Sequence, residues 1–85
     1  MSPGEEIQQA RVDIAQANYD FAKFREEKLR KLSESGSVSE MEVIQAGRDL
    51  RIADAELRIA QWNQVLGRSG LSYLSPHLPE GGGND

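Results

Sequence analysis

The chain has 85 residues, no cysteine, one histidine and a net charge of -4, with 28% of its residues charged. That composition excludes a disulfide scaffold and thiolate metal sites, argues against a general nucleic-acid binder, which is usually basic, and leaves room for one domain. A chain this small buries a modest fraction of its surface, so oligomerisation is its remaining route to added stability.

The sequence opens on a helix start. In Ser2-Pro3-Gly4-Glu5, Ser2 suits the cap, Pro3 the first helical position, and Glu5 stands where a capping-box acid belongs. From there to about Ser33 there is no further proline or glycine, and Ala, Gln, Glu, Lys and Arg dominate, all good helix formers. Ile7, Ala10, Ile14, Ala17, Phe21 and Phe24 step by alternating threes and fours, the spacing of a coiled-coil seam. A second set, Val12, Ala15, Tyr19, Ala22 and Leu29, repeats the rhythm roughly 200° around the helix. The first set is read as the seam that meets another helix, the second as a strip on the nearly opposite side.

A short polar stretch, Ser33-Glu34-Ser35-Gly36-Ser37-Val38-Ser39, separates this helix from the next. Gly36 is placed to take the left-handed conformation that ends a helix. Ser39 and Glu42 form a Ser-x-x-Glu capping box for a second helix running from about Glu40 to about Leu66. Its seam is a regular heptad of Val43, Ala46, Leu50, Ala53, Leu57 and Ala60, and it too carries an offset strip: Ile52, Ala55, Ile59, Trp62 and Leu66. The many seam alanines let the two helices approach closely, and each helix spans about 40 Å.

Gly67-Arg68-Ser69-Gly70 reads as the end of the second helix, followed by a flexible Gly/Pro-containing tail over 67–85. Leu71, Tyr73, Leu74 and Leu78 in that tail are placed to fold back on the open end of the hairpin. No apolar run reaches the length of a membrane-spanning helix. The first six residues have neither a basic n-region nor an apolar h-region, so they do not read as a signal peptide. Two settings follow: the cytoplasm if this is a whole protein, the periplasm if it is a piece of an exported one.

Leu32-Ser33-Glu34-Ser35-Gly36-Ser37-Val38-Ser39, followed by Glu42, Val43, Ala46 and Leu50, resembles the α-hairpin of HlyD-type periplasmic adaptor (membrane-fusion) proteins. Those hairpins have a leucine before the turn, a Gly-x-x-Ser turn and an alanine seven residues after the serine, matched here by Leu32, by Gly36 with Ser39, and by Ala46. The resemblance covers about residues 10 to 66. It implies a role in efflux or secretion assemblies, with a hairpin tip that engages a TolC-type outer-membrane channel through an Arg, a Leu and a Ser. Leu32 and Ser39 match by spacing, whereas the arginine position is Lys28, which keeps the charge but loses the planar fork. Helical segments of TolC-type channels themselves share a similar Gly-x-x-Ser, Val and Ala pattern and are the second choice. Nothing in the chain resembles the lipoyl and barrel domains that flank the hairpin in a full adaptor.

Each candidate site has a structural explanation beside the functional one. The turn serines are explained by capping, but Val38 on an exposed tip gains nothing unless a partner covers it. The basic run of Arg25, Lys28, Arg30 and Lys31 complements the helix dipole, or else docks an acidic partner; no aromatics interleave with it as in single-strand binders. Trp62 suits a core or an oligomer contact. Tyr19 and Phe21 face different sides and read as packing. His77 lies in the tail without a partner pattern, and Asp49, Asp54 and Glu56 are spaced like a solvated face. No motif points to an enzyme, a cofactor or a metal site.

The sequence thus predicts an all-α antiparallel two-helix coiled-coil hairpin, with helices over about 4–33 and 39–66 and a turn at 34–38, that self-associates into a helical bundle. Its expected partners are protein helices, namely copies of itself and a TolC-type channel tip, without nucleic acid or membrane insertion. Lys28, Leu32, Gly36, Val38 and Ser39 are the expected contact tip, and Ile52, Ala55, Ile59, Trp62 and Leu66 the oligomer strip. The alternative is a stand-alone homodimeric four-helix-bundle scaffold or regulator in the cytosol.

Overall fold

A computed structural model describes residues 2–68 as two helices, α1 (Pro3–Glu34) and α2 (Glu40–Arg68), packed antiparallel as a hairpin. Both helices start with reciprocal capping. The Ser2 hydroxyl accepts from the Glu5 N–H at 3.2 Å while the Glu5 carboxylate accepts from the Ser2 N–H at 2.9 Å. At α2 the Ser39 hydroxyl accepts from the Glu42 N–H at 3.2 Å and Glu42 accepts from the Ser39 N–H at 3.0 Å. These bonds satisfy donors that the first turn of a helix leaves open, and losing such a cap costs about 1 kcal/mol.

The end of α1 is a Schellman turn. The Ser37 N–H donates to the Leu32 carbonyl at 2.8 Å and the Gly36 N–H to the Ser33 carbonyl at 3.0 Å, with Gly36 at φ +81°. The Ser35 hydroxyl adds a second bond to the Leu32 carbonyl at 2.9 Å. The helix stops here because Gly36 takes a backbone conformation that other residues reach only at a cost.

The interface between the helices is built mainly from small residues. Ala15 on α1 and Ala46, Ala53 and Leu57 on α2 are the buried apolar residues, strung along the seam, with Ala46 only 1% exposed. Half-buried Val12, Tyr19, Ala22 and Leu29 extend it along α1, and Val43, Leu50 and Ala60 along α2. The α2 seam is therefore the expected one. The α1 seam is not: Ile7, Ala10, Ile14, Ala17, Phe21 and Phe24 are all exposed, and the set predicted to lie opposite is the one that faces α2. The reason lies at the turn. Continued toward the tip by threes and fours, the outer row arrives at Lys28 and Lys31, whose charges cannot be buried unpaired, whereas the inner row passes Glu26, which Arg30 pairs at 2.7 Å, and reaches Leu29 and Leu32. The turn fixes which row faces inward, and the larger hydrophobes at the other end of α1 follow.

Two cross-links tie the helices in addition to apolar packing. Arg25 meets Asp49 at 3.6 Å, a half-exposed pair of the kind worth about 0–1 kcal/mol. At the open end the Gln64 amide donates to Gln9 Oε1 at 2.7 Å in a partly buried setting. Helix α2 continues through Gly67 to Arg68, two residues past the predicted end. A side chain at Gly67 would stand 3.7 Å from the Gln8 amide, so the site has ordinary contact rather than a clash. The fold-back of Leu71, Tyr73, Leu74 and Leu78, the tail beyond Arg68 and His77 lie outside the described residues.

Candidate interaction surfaces

Three surfaces emerge: the closed end and the two outer edges. At the closed end Leu32 and Val38 are half-buried against the turn, while Gly36 and Ser39 are exposed. The two last-named serve structure directly, as the left-handed residue and the α2 cap. Val38 is partly covered by the hairpin itself, so burial within the chain accounts for part of its apolar surface. Lys28 is exposed about 9 Å from the end of α1 along its axis, with its ammonium 6.0 Å from the centre of the Phe24 ring. A cation at that distance over an aromatic face is attracted to it weakly at an exposed site.

The basic run is less of a patch in three dimensions than in sequence. Arg30 grips Glu26 through two bonds of 2.7 and 3.2 Å, and Arg25 is turned to Asp49. The Arg30 hydrogen bond, reinforced by its charge and opposed by partial burial, holds the Glu26 carboxyl below its ordinary range; the same bond raises Arg30. Lys28 and Lys31 are the cations left to face outward. Asp49 and Asp54 are likewise engaged: Asp49 also meets Arg48 at 3.3 Å, and Asp54 meets Arg58 at 3.2 Å.

The edges carry the larger hydrophobes. On α2, Ile52, Ile59 and Trp62 are exposed, Trp62 at 59%, while Ala55 and Leu66 are half-exposed. Trp62 therefore takes no part in the core of the single hairpin. On α1, Ile7, Ile14, Phe21 and Phe24 are exposed, Phe21 at 65%, so Phe21 is not internal packing. Met41, Ile44 and Val65 are further exposed apolar residues on α2 that the sequence patterns did not single out. Among the described residues ten large hydrophobes are exposed and four apolar residues are buried, so most of the bulky apolar surface lies outside the seam.

The broad faces between these edges are polar. Seven-residue rows place Arg11, Asn18 and Arg25 of α1 beside Asp49 and Glu56 of α2 on one face, while Asn63 of the same row is buried. The Arg25–Asp49 pair is a direct contact across that face. On the other face Gln9, Gln16, Lys23 and Arg30 run beside Asp54, Gln61 and Arg68. Sequence patterning missed one further arrangement: Glu6, Asp13, Asp20 and Glu27 repeat every seven residues beside the outer strip of α1, and Arg51 and Arg58 do so beside that of α2. The signal was the heptad spacing of the charges themselves. No helix among the described residues is long and apolar enough to cross a membrane. No protein-family model, curated protein or solved structure matches the chain.

Proposed function

We propose that this hairpin is a protein-assembly module that stands beside other helices along its edges and docks by its closed end on a helical partner, in the manner of the channel-docking hairpin of HlyD-type adaptors. The observation that carries the assembly role is the excess of bulky apolar side chains outside the seam over those inside it. Contiguous exposed apolar surface on a soluble chain marks an interaction site. The docking role rests on the turn, where Leu32, Gly36 and Ser39 keep the spacing of the adaptor tip and Lys28 supplies the cation. A TolC-type channel is the proposed partner, which places this activity in the periplasm.

Binding of the purified chain to a detergent-solubilised TolC-type channel tests the docking role. Lys28→Glu and Val38→Glu should each weaken binding at least tenfold with helicity by circular dichroism unchanged. Ser39→Arg should weaken it too, with a small loss of stability from the missing cap. Binding that is absent in the parent chain, or equal in all variants, overturns the docking role.

The alternative of a two-hairpin bundle is less well supported. A four-helix bundle buries one broad face of each hairpin in its core. Here both broad faces carry charged and amide side chains, which would need full pairing when desolvated.

A further inference from the structure

We propose that a groove on one broad face of the hairpin, beside the closed end, is a docking surface for a cationic amphipathic helix of another protein. The inference goes beyond the assembly and docking roles above and depends on neither.

The groove has a volume of about 580 Å³ and lies between the end of α1 and the start of α2. Arg30, Ser33 and Glu34 form one wall, and Glu40, Val43 and Ile44 the other. Gly47 continues the α2 wall by one turn, because it stands three residues after Ile44 and four after Val43. From Glu40 to Gly47 is about 10 Å along the helix, so the surface extends over two turns.

Two residues of this surface run against the local preferences of a helix. Gly47 stands inside α2, where glycine is less favourable than alanine. The hairpin gives no reason for it: its φ is not in the left-handed region, and a side chain there would meet nothing within 4 Å. Glu34 is the last residue of α1, where the helix dipole favours a cation over a carboxylate. Local costs that bring the chain itself no gain are expected at functional surfaces. Here both fall on one groove.

Each departure specifies the occupant. Bare backbone at Gly47 lets a facing helix come to the short end of the roughly 8–10 Å that separates packed helix axes. Glu34 and Glu40 are in no ion pair among the described residues, whereas Arg30 is held by Glu26 at 2.7 Å. Together with the negative end of the α1 dipole, the two carboxylates call for cations. Ile44 is 63% exposed and Val43 half-buried, so an apolar side chain has a place beside the charges. The occupant is therefore a helix with cations three or four residues from an apolar side chain. This chain's own outward cations, Lys28 and Lys31, belong to the closed end assigned above to docking, so the helix comes from a different protein.

The probe is a fluorescent amphipathic peptide of alanine, leucine and lysine, stapled into a helix, and its binding to the full chain is read by anisotropy. Glu34→Gln/Glu40→Gln should weaken binding at least tenfold, and so should glutamate in place of lysine in the peptide. The net charge of -4 would by itself draw a cationic peptide to this chain, so the uncharged Gly47→Leu is the decisive variant. It should weaken binding at least tenfold while the urea midpoint stays unchanged or rises. Equal binding by Gly47→Leu and the parent overturns the proposal. A lower urea midpoint in Gly47→Ala would assign the glycine to the fold and also overturn it. Lys28→Glu, which addresses the closed end, should not weaken peptide binding; a loss as large as that of Gly47→Leu would overturn a separate groove. Self-association of the parent that disappears in Gly47→Leu, by sedimentation without peptide, would overturn the proposal in favour of a second copy. Peptide binding together with absent channel binding would retain the groove and reject the docking role alone.

Discussion

Gln9 and Gln64 are joined at the open end of the hairpin by a 2.7 Å bond across 55 residues of sequence, with the Gln9 carbonyl accepting from the Gln64 amide. Gln9 also donates to Asp13 at 2.9 Å, so its amide is fixed at both atoms. Replacing Gln64 by Ala should lower stability by about 1 kcal/mol, the usual net worth of an intramolecular hydrogen bond. Hydrogen exchange should show the loss concentrated at the ends of α1 and α2 away from the turn. Uniform loss along both helices would contradict a local clamp.

The neighbouring Gln8 presents the opposite case. Its Oε1 is buried without a hydrogen-bond partner among the described residues. Removing an unsatisfied buried acceptor relieves a desolvation penalty of about 1–3 kcal/mol. Gln8→Leu should therefore leave the urea midpoint unchanged or raise it, where Gln64→Ala lowers it.

Gly36→Ala should destabilise the hairpin by about 1 kcal/mol, since φ is +81° and alanine rarely adopts that region. Open space surrounds the position, so the cost is one of backbone conformation and not of collision. Gly36→Asn, which tolerates that region better, should recover part of the loss in chemical denaturation.

Core and edge substitutions should separate stability from association. Ala46→Leu adds bulk at a site 1% exposed and should cost about 1–3 kcal/mol in monomer stability. Phe21→Ala removes an exposed ring and should change monomer stability by less than about 0.5 kcal/mol, measured by urea unfolding at low concentration. The same variant should reduce self-association in sedimentation. Equal effects on both properties would place Phe21 in the hairpin core after all.

Acid should weaken the lower half of α1 through Glu26. Its carboxyl titrates below the ordinary value because Arg30 bonds the charged form. A depressed carboxyl contributes stability above its unfolded value, and that contribution disappears as pH falls through the folded value. Arg30→Gln should remove this part of the acid dependence while leaving neutral-pH helicity nearly intact. Circular dichroism between pH 6 and pH 2 on both chains is the check.

Much of the hairpin was legible in the sequence because its punctuation is local. The two Ser-x-x-Glu boxes, Pro3 and Gly36 act within a few residues, and each appears in the structure where the pattern put it. The α2 seam was legible because its alanines and leucines keep strict heptad spacing. The phase of α1 was not, because two apolar rows compete there and hydrophobicity favours the one with Phe21 and Ile14. What decides between them is which row runs into the turn on apolar residues, half-buried Leu29 and Leu32, and no local pattern encodes that. The amide clamp of Gln9 and Gln64 was equally hidden, since two glutamines far apart on polar helices carry no pairing signal.

Closure at both ends has a mechanical consequence. The Schellman turn locks one end, the glutamine bond the other, and a seam of buried Ala15, Ala46, Ala53 and Leu57 runs between them. Such a pair resists splaying and shear better than either helix alone, as two laminated slats resist bending. A displacement applied at the turn would then reach the far end as motion of a single strut.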